Sequence, residues 1–445
     1  MRAEDVRELF ETVLPNEFIA EAARRLGVQE RQRVLDPVEL VMSLVLMGGT
    51  AEAGRIAATI RDYFDRGNKQ VARSAYYRWF DAQLLALMVE LVERAKAHVR
   101  SMPRHLPGIL AGRTDWRAVD STTIHLDDAL KDLYPGTGEY AALKVHVELS
   151  LGCENVVDYH ISPAREHDGP HLVIDESRRG TGLLVDLGYV SHDLFRACEE
   201  HDVHLVVRLK GGWNVFLDPN VMAGDVRDWV CAPELLEHLD SGLPFDARKN
   251  GKLDVDVQMG PAGAPVRARL VTVETPEGLR AFLTNLPRST HSAAEVTMLY
   301  RLRWGVELQN KLAKTGCQLD EVTAKTPIPM EILVHAAMLA SMLANAAAHL
   351  EHLDQGLVGQ KTPKLKRPPV HAMAIWKYIV TGSPRLIDLL RGVPRRDGWD
   401  HVARVLTRGG QDPNWRRKPS PIDMVKGRTA SGRPWREPSG RARAK

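Results

Sequence analysis

The sequence predicts an α/β protein: a strand-rich core, interrupted by a mostly β insertion, between a helical N-terminal region and a helical, then basic, C-terminal region. Three observations carry this. Helix-capping signals recur through the first hundred residues, the texture turns β-branched and apolar at Trp116, and a long helical signal returns at Ser292.

At 445 residues the chain is too long for one ordinary core, so two or three domains, or one with large insertions, are expected. The hydrophobic content of 44% is enough for most of it to fold. Within residues 1–105, Asp36 is placed as an N-cap, Pro37 as the first helical residue and Glu39 as a capping acid before LVMSLVLM, which Gly48-Gly49 stops. Thr50 caps a helix to about Phe64, and Ser74 a long amphipathic one, AYYRWFDAQLLALMVELVERA. Basic turns at Arg66, Lys69, Arg73 and Arg78 fit a DNA-binding helical domain, and fit a helical bundle with ordinary surface charge equally well.

Residues 106–210 form the first part of the core. WRAVDSTTIHL is a strand around one aspartate, and LKVHVELSL and NVVDYHISP make a hairpin. A helical stretch around His171–Arg178 leads to GLLVDLGYV, a short buried strand ending in Asp186. Ser191 then caps a helix and VHLVVRL is another strand. Three strands followed by helix, strand, helix and strand is the order of an RNase H-like fold. Residues 211–286, with GGWNVFLDPN, a short helix near Pro233–Leu239, LDVDVQM, VRARLVTVE and GLRAFLTNL, form the β-rich insertion. Residues 287–325 return to the core with one long helix from Ser292 to Lys314. Residues 326–410 are a helical C-terminal region and 411–445 a basic tail.

Formal net charge is only +3, but from Gln411 onward ten Lys and Arg face three Asp and Glu. That is +7, leaving −4 for the rest, and such a tail is expected to stay flexible and to be drawn to polyanions. The four cysteines, Cys153, Cys198, Cys231 and Cys317, form no Cys-x-x-Cys pair, which argues against a disulfide framework or zinc ribbon and fits a reducing cytoplasm. The first residues, MRAEDVRELFETVLPNEF, are charged and periodic, unlike a signal peptide. Ile332–Leu350 approaches transmembrane length, yet its Ala content, His335, Asn345 and His349 point to a buried or oligomer-forming helix and no membrane.

The chemistry is concentrated on the helix after residue 300. At about 100° per residue, Tyr300, Arg303, Glu307, Lys311 and Lys314 fall within roughly 80° of arc, while Leu299, Leu302, Val306 and Ala313 group opposite. Alone, this reads first as a solvated charged face with Glu307–Lys311 as an i,i+4 pair, and only second as a site. Asp120 and Asp186 add weight, because each sits in or at the end of an apolar strand, where an uncompensated carboxylate is costly. Three such acids make an oxygen cage for hard divalent ions. Magnesium takes few protein carboxylates and fills its shell with water and phosphate.

Tyr300-x-x-Arg303-x-x-x-Glu307, with Lys314 seven residues on, resembles the Tyr-Arg-Glu-Lys signature of the insertion-sequence-four family of bacterial DDE transposases. Val119-Asp120-Ser121-Thr122 is similar to its first aspartate motif and Val185-Asp186-Leu187-Gly188-Tyr189 to its second. The resemblance covers roughly Trp116 to Lys314. It implies an RNase H-like fold in which Asp120, Asp186 and Glu307 hold two Mg2+ ions, with Mn2+ as a substitute. Water would attack the phosphodiester at the transposon end, and the freed 3′-hydroxyl would attack target DNA. Arg303 and Lys314 would hold phosphates, and Tyr300 would contact the backbone. The implied partners are double-stranded DNA, both the inverted repeats and the target, and a second copy of the chain as a homodimer on DNA, in a bacterial, nucleoid-associated cytoplasmic setting. Relatives that hold a flipped base use an insertion-region tryptophan shortly before the Glu helix. Here Trp213 and Trp229 lie much earlier and Leu279–Leu299 has none, so a hairpin-ended intermediate is not implied.

Lys311, Lys144, Arg208 and Lys210 are further candidates for DNA phosphates, although surface cations are the default. His125, His146, His160 and His167 lack metal-ligand spacing and are expected to be structural or DNA-adjacent, and Gly136–Tyr140 is a turn rather than a nucleotide loop. Two other functions stay open at this point. One is a non-catalytic DNA-binding regulator descended from such an enzyme, against which the three carboxylates argue. The other is a related nuclease that cuts without joining.

Overall fold

Strand β1 (Trp116–His125) is the centre around which the sheet is laid. The structure is a computed structural model of the chain. It describes residues 1–28, 35–46, 55–66, 70, 72–210, 213, 215–217, 248–249, 252–261, 263–275, 278–356, 367–429 and 431–436. Among them, β1 is followed by β2 (Ala142–Ser150), β3 (Asn155–Pro163), β4 (Gly182–Val185), β5 (His204–Arg208), β6 (Val215–Leu217), β7 (Arg248–Lys249), β8 (Lys252–Met259), β9 (Val266–Thr275) and β10 (Gly278–Thr284). These strands make one mixed sheet in the order β3-β2-β1-β4-β5-β10-β9-β8-β6, with β7 paired to β8.

The β1–β2–β3 meander is antiparallel, whereas β1, β4 and β5 are parallel. Parallel strands need cover on both faces, and Leu183, Leu184, Val185, Leu205, Val206 and Val207 are all fully buried. Alternation sorts them. Val119, Leu183, Val185 and Val207 join Leu194, Phe195 and Cys198 of the His192–Glu200 helix on one face. Ala118, Leu184 and Val206 belong to the larger cluster on the other face, with Leu299, Val306 and the Pro327–Asp354 helix. β1 and β4 meet closely at Trp116 and Gly182, where a Cβ on the glycine would stand 2.4 Å from the indole.

The hairpin, the short strand before Asp186 and the Ser191 cap form as the sequence predicts; Ser191 Oγ accepts from Leu194 N–H at 3.0 Å. The insertion does not stand apart. β10 pairs antiparallel with β5, Phe282 opposite Arg208 and Thr284 opposite Val206, so the inserted strands extend the core sheet. The stretch around His171–Arg178 is two 3-10 turns, Gly169–His171 and Glu176–Arg178, not an α-helix. The short helix expected near Pro233–Leu239, the Gly48-Gly49 stop, the Thr50 cap, Lys69, Trp229 and Cys231 lie outside the described residues. Cys153, Cys198 and Cys317 are buried.

In the N-terminal region Asp36 caps as predicted, accepting from Val38 and Glu39 N–H at 3.0 and 3.1 Å. The helix placed after Ser74 is interrupted. Arg73–Tyr77 is one short helix, and Asp81 caps a new one, Ala82–Ser101, through Leu84 N–H at 2.9 Å. Of the cations proposed for DNA, Arg66 is turned inward, ion-paired with Glu39 and with Asp388 at 2.7 Å. The 28-residue Pro327–Asp354 helix is long and apolar enough to cross a membrane, yet 72% of its most apolar window is buried inside the protein. It packs against Ala82–Ser101 and against the face of the sheet that carries β1.

The basic tail is the largest departure. Residues 411–429 are folded against the core, with a short helix, Pro421–Val425, capped by Ser420. Lys426 and Arg428 are buried, pairing with Glu154 at 2.9 and 2.7 Å, and Arg428 also with Asp423 at 2.7 Å. Burial alone would raise the Glu154 carboxyl, but the two cations hold it well below the usual carboxylate range. Two of the ten cations counted as polyanion contacts are therefore internal. Removing one partner of such a cluster leaves an uncompensated buried charge. Arg428→Ala is expected to cost about 3–5 kcal/mol, read as a lower urea midpoint with an unchanged slope. A midpoint like that of the wild type would mean the segment is not held by these pairs.

Candidate active site

Period-two alternation puts Asp120 on the same face of β1 as Ala118, toward the helices. The Asp120 carboxylate accepts from Ser121 N–H at 2.9 Å. Because Val119 pairs with Val185 in parallel register, Asp186, the first residue after β4, comes level with Asp120. The chain then turns into Leu187–Tyr189, so Asp186, at the carboxyl end of β4, stands beside Asp120 in the middle of the longer β1.

The third acid arrives on the helical segment, which is not the single helix expected. Ser292 and Glu295 form a reciprocal capping box, the helix runs Ala293–Arg301, and a break at Leu302–Arg303 precedes a second helix, Trp304–Lys311. A wider π-helical turn, Leu312–Gly316, follows. Leu299, Leu302, Val306 and Ala313 are buried as their spacing predicts.

Arg303, at the break, is where the three carboxylates meet. Its Nη1 is 3.6 Å from Asp120 Oδ2 and 3.8 Å from Asp186 Oδ1, and its Nη2 is ion-paired with Glu307. Asp120 is the most enclosed acid, its side chain 17% exposed against 42% for Asp186 and 31% for Glu307. Burial pushes the Asp120 carboxyl up to about 6; Arg303 pulls it down, and the charges of Asp186 and Glu307 push it up. Three acids facing one guanidinium leave an excess of about two negative charges, which suits hard divalent cations. Asn310 adds a further polar group: its Nδ2 donates to Asp120 at 3.4 Å, while its buried Oδ1 has no partner among the described residues. The sequence reading did not single out Asn310, although it follows Glu307 by three residues on the same helix.

The other candidates divide. Lys314 donates to the carbonyl of Thr123 on β1 at 3.0 Å, three residues from Asp120. Tyr300 is buried, its ring 5.0 Å from Phe282 with the Arg303 guanidinium 5.7 Å from its centroid, so it supports the arginine from below. Burial pushes its phenol up to about 12. Lys144 is turned toward Asp168, 2.9 Å away, and donates to the Glu166 carbonyl at 2.7 Å. Arg208 and Lys210 are exposed at the end of β5. Lys311 is exposed beside a different feature, a cavity of about 340 Å³ lined by Leu149, Leu308 and Met373.

Sequence comparison identifies the setting. The family described as "Transposase DDE domain" matches residues 112–343. The transposase for insertion sequence element IS231F of Bacillus thuringiensis subsp. israelensis is 21% identical over 265 residues, 52% of this chain and 56% of that protein. The putative transposase InsL for insertion sequence element IS186A of Escherichia coli (strain K12) is 34% identical over 116 residues, 23% of this chain and 30% of that protein. The chain thus spans about half, or less, of the length of these relatives. Among solved structures, a piggyBac transposase synaptic complex with hairpin DNA aligns over 94% of this chain and 89% of that chain at 10% identity, with a TM-score of 0.45. Since the family match starts just ahead of β1 and runs into the long buried helix, it takes in Asp120, Asp186 and Glu307 together, and the chain belongs to the transposase DDE-domain family.

Proposed function

We propose that this protein is a DNA transposase that cuts at the ends of an insertion sequence and joins the freed 3′-hydroxyl to target DNA. The observation that carries the reading is the convergence of Asp120, Asp186 and Glu307 on Arg303, where the carboxyl end of β4 meets the middle of β1. The strand order β3-β2-β1-β4-β5, with β2 running antiparallel to the other four, supports an RNase H-like reading of the core.

The donor set fits hard divalent cations: three carboxylates with excess negative charge and one unpartnered amide oxygen, Asn310 Oδ1, beside them. Asp120, Asp186 and Glu307 are the residues that would hold Mg2+, or Mn2+ in its place. When bound, such ions activate an attacking oxygen and stabilise the departing one. The chain's own residues orient the reaction. Ser121 N–H fixes one Asp120 oxygen, leaving the other to face Arg303 and Asn310. Arg303, braced on the Tyr300 ring, can turn from the carboxylates to a scissile phosphate, and Lys314 is held by the Thr123 carbonyl, three residues along β1 from Asp120. Arg208, Lys210 and Lys311 offer exposed positive charge for DNA. In this reading Arg73 and Arg78, exposed in the N-terminal region, extend the DNA surface, and two ends require two chains, a homodimer on DNA.

The direct test uses DNA carrying the element's own ends, taken from the inverted repeats flanking the gene. Asp120→Asn, Asp186→Asn and Glu307→Gln are each expected to lower both cleavage and joining by about 10³-fold or more, roughly 4 kcal/mol of barrier, with binding to the same DNA nearly unchanged. Near-normal joining in Mg2+ by any one of them would remove that residue from the ligand set. Supplying a pre-cut 3′-hydroxyl end separates a transposase from a nuclease, because only the former gives joined product.

Lys314→Ala removes a cation anchored on β1 three residues from Asp120. If Lys314 takes one phosphate, the slope of log affinity against log salt becomes shallower by about 0.9. An unchanged slope would confine Lys314 to its bond with Thr123.

A further inference from the structure

On the face of the sheet opposite Asp120 the structure gathers three histidines that no sequence spacing brings together. His146 on β2 and His160 on β3 are cross-strand partners. His171 comes in from the Gly169–His171 turn. Their ring centroids form a triangle with sides of 4.7, 4.2 and 5.1 Å, and one ligating atom from each lies within 4.8 Å of the others.

We propose that His146, His160 and His171 form a binding site for a zinc-class transition-metal ion, separate from the carboxylate site. Imidazole nitrogens suit Zn2+ and its neighbours, whereas Mg2+ takes oxygen ligands, so the two sites differ in the metal they select. A tetrahedral ion with bonds of about 2.0–2.1 Å needs nitrogens about 3.4 Å apart. Small rotations of exposed His160 and of His171, on its surface turn, supply that closure.

The neighbours already have the form of a metal site's surroundings. His171 Nε2 meets Glu166 Oε2 at 2.9 Å, a carboxylate–imidazole pair that fixes the ring and leaves Nδ1 for the metal. His146 Nδ1 meets the Tyr189 hydroxyl at 2.7 Å and its Nε2 meets Ser162 Oγ at 2.9 Å. Ser162 Oγ also lies 3.4 Å from the Pro163 carbonyl, so its hydroxyl has another acceptor when Nε2 is taken. Burial, with the two neighbouring imidazoles, pushes His146 down to about 3, keeping it in the neutral, ligating form.

An ion here would tie β2, β3 and the 169–171 turn together next to the catalytic strand. Asp168 precedes that turn, is 3.9 Å from His146 Nδ1 and accepts from Ser121 Oγ at 3.1 Å. Ser121 in turn follows Asp120. Gly188, two residues after Asp186, leaves room for the same Asp168, since a Cβ there would stand 2.3 Å from its Oδ2. The site would act as a brace for both aspartate-bearing segments.

The test keeps the two sites apart. The full chain carrying Asp120→Asn and Glu307→Gln is stripped with chelator and titrated with Co2+, then with Zn2+. One equivalent of Co2+ with the intense visible absorption of tetrahedral coordination, displaced by Zn2+, is expected. Adding His160→Ala or His171→Ala should weaken binding at least tenfold without moving the thermal unfolding of the metal-free chain. Absence of that equivalent in the doubly substituted background, or equal binding after either histidine is removed, would overturn the proposal and leave a purely hydrogen-bonded imidazole cluster. Because two of the three carboxylate ligands are already replaced and the test reads no DNA reaction, failure here would not bear on the proposed transposase reaction.

Discussion

Everything at this site depends on one electrostatic arrangement, three carboxylates held around the Arg303 guanidinium. At about 4 Å and an effective dielectric near 20, one such attraction is of order 4 kcal/mol. It is weaker for Asp186, whose side chain is 42% exposed. The same scale governs the repulsion among the acids, so the cluster needs a cation to stay together. Arg303 supplies one, and the excess negative charge is what gives the site a use for more. The upward push on Asp120 has the same origin: burial first, then two like charges, only partly offset by the arginine.

The rest of the fold keeps that arrangement in place. Parallel pairing of β1 with β4 brings the aspartates level, and apolar side chains on both faces hold the strands where they are. Val306 and Leu299 seat the segment bearing Glu307 on the sheet, while the buried Pro327–Asp354 helix backs it. The folded C-terminal segment closes the far side, with Lys426 and Arg428 reaching Glu154 in the β2–β3 turn. A charge cluster at the end of the chain thereby braces the hairpin next to β1.

Much of this was legible in the sequence because the signals were local. The Asp36 cap, the Ser191 cap, the β2–β3 hairpin and the buried stripe Leu299, Leu302, Val306 and Ala313 follow from propensity and periodicity. The motifs around Asp120, Asp186 and Glu307 pointed to residues that the fold brings together. What was not legible depended on tertiary partners. Charge counting cannot tell a cation in water from one buried beside an acid, and so Arg66, Lys426 and Arg428 were assigned to DNA or to a flexible tail. The break at Leu302–Arg303 was invisible to a pattern that continues through it, and Arg303 at that break is the residue that faces all three carboxylates. Tyr300 falls on the polar arc by spacing, but the break and Phe282 turn it inward. His146, His160 and His171 have no regular spacing because strand register, not sequence distance, makes them neighbours.

We propose that Asp120, Asp186 and Glu307 form a single divalent-cation site for which Arg303 is the local counter-charge. Mn2+ binding, followed through loss of the free-ion electron paramagnetic resonance signal, tests it most directly when wild type, Glu307→Gln and Arg303→Gln are compared in the absence of DNA. Glu307→Gln is expected to weaken Mn2+ binding at least tenfold, whereas Arg303→Gln leaves it intact or tightens it, since a competing positive charge is gone. Mn2+ binding that is indifferent to Glu307, or that is lost with Arg303, would contradict it.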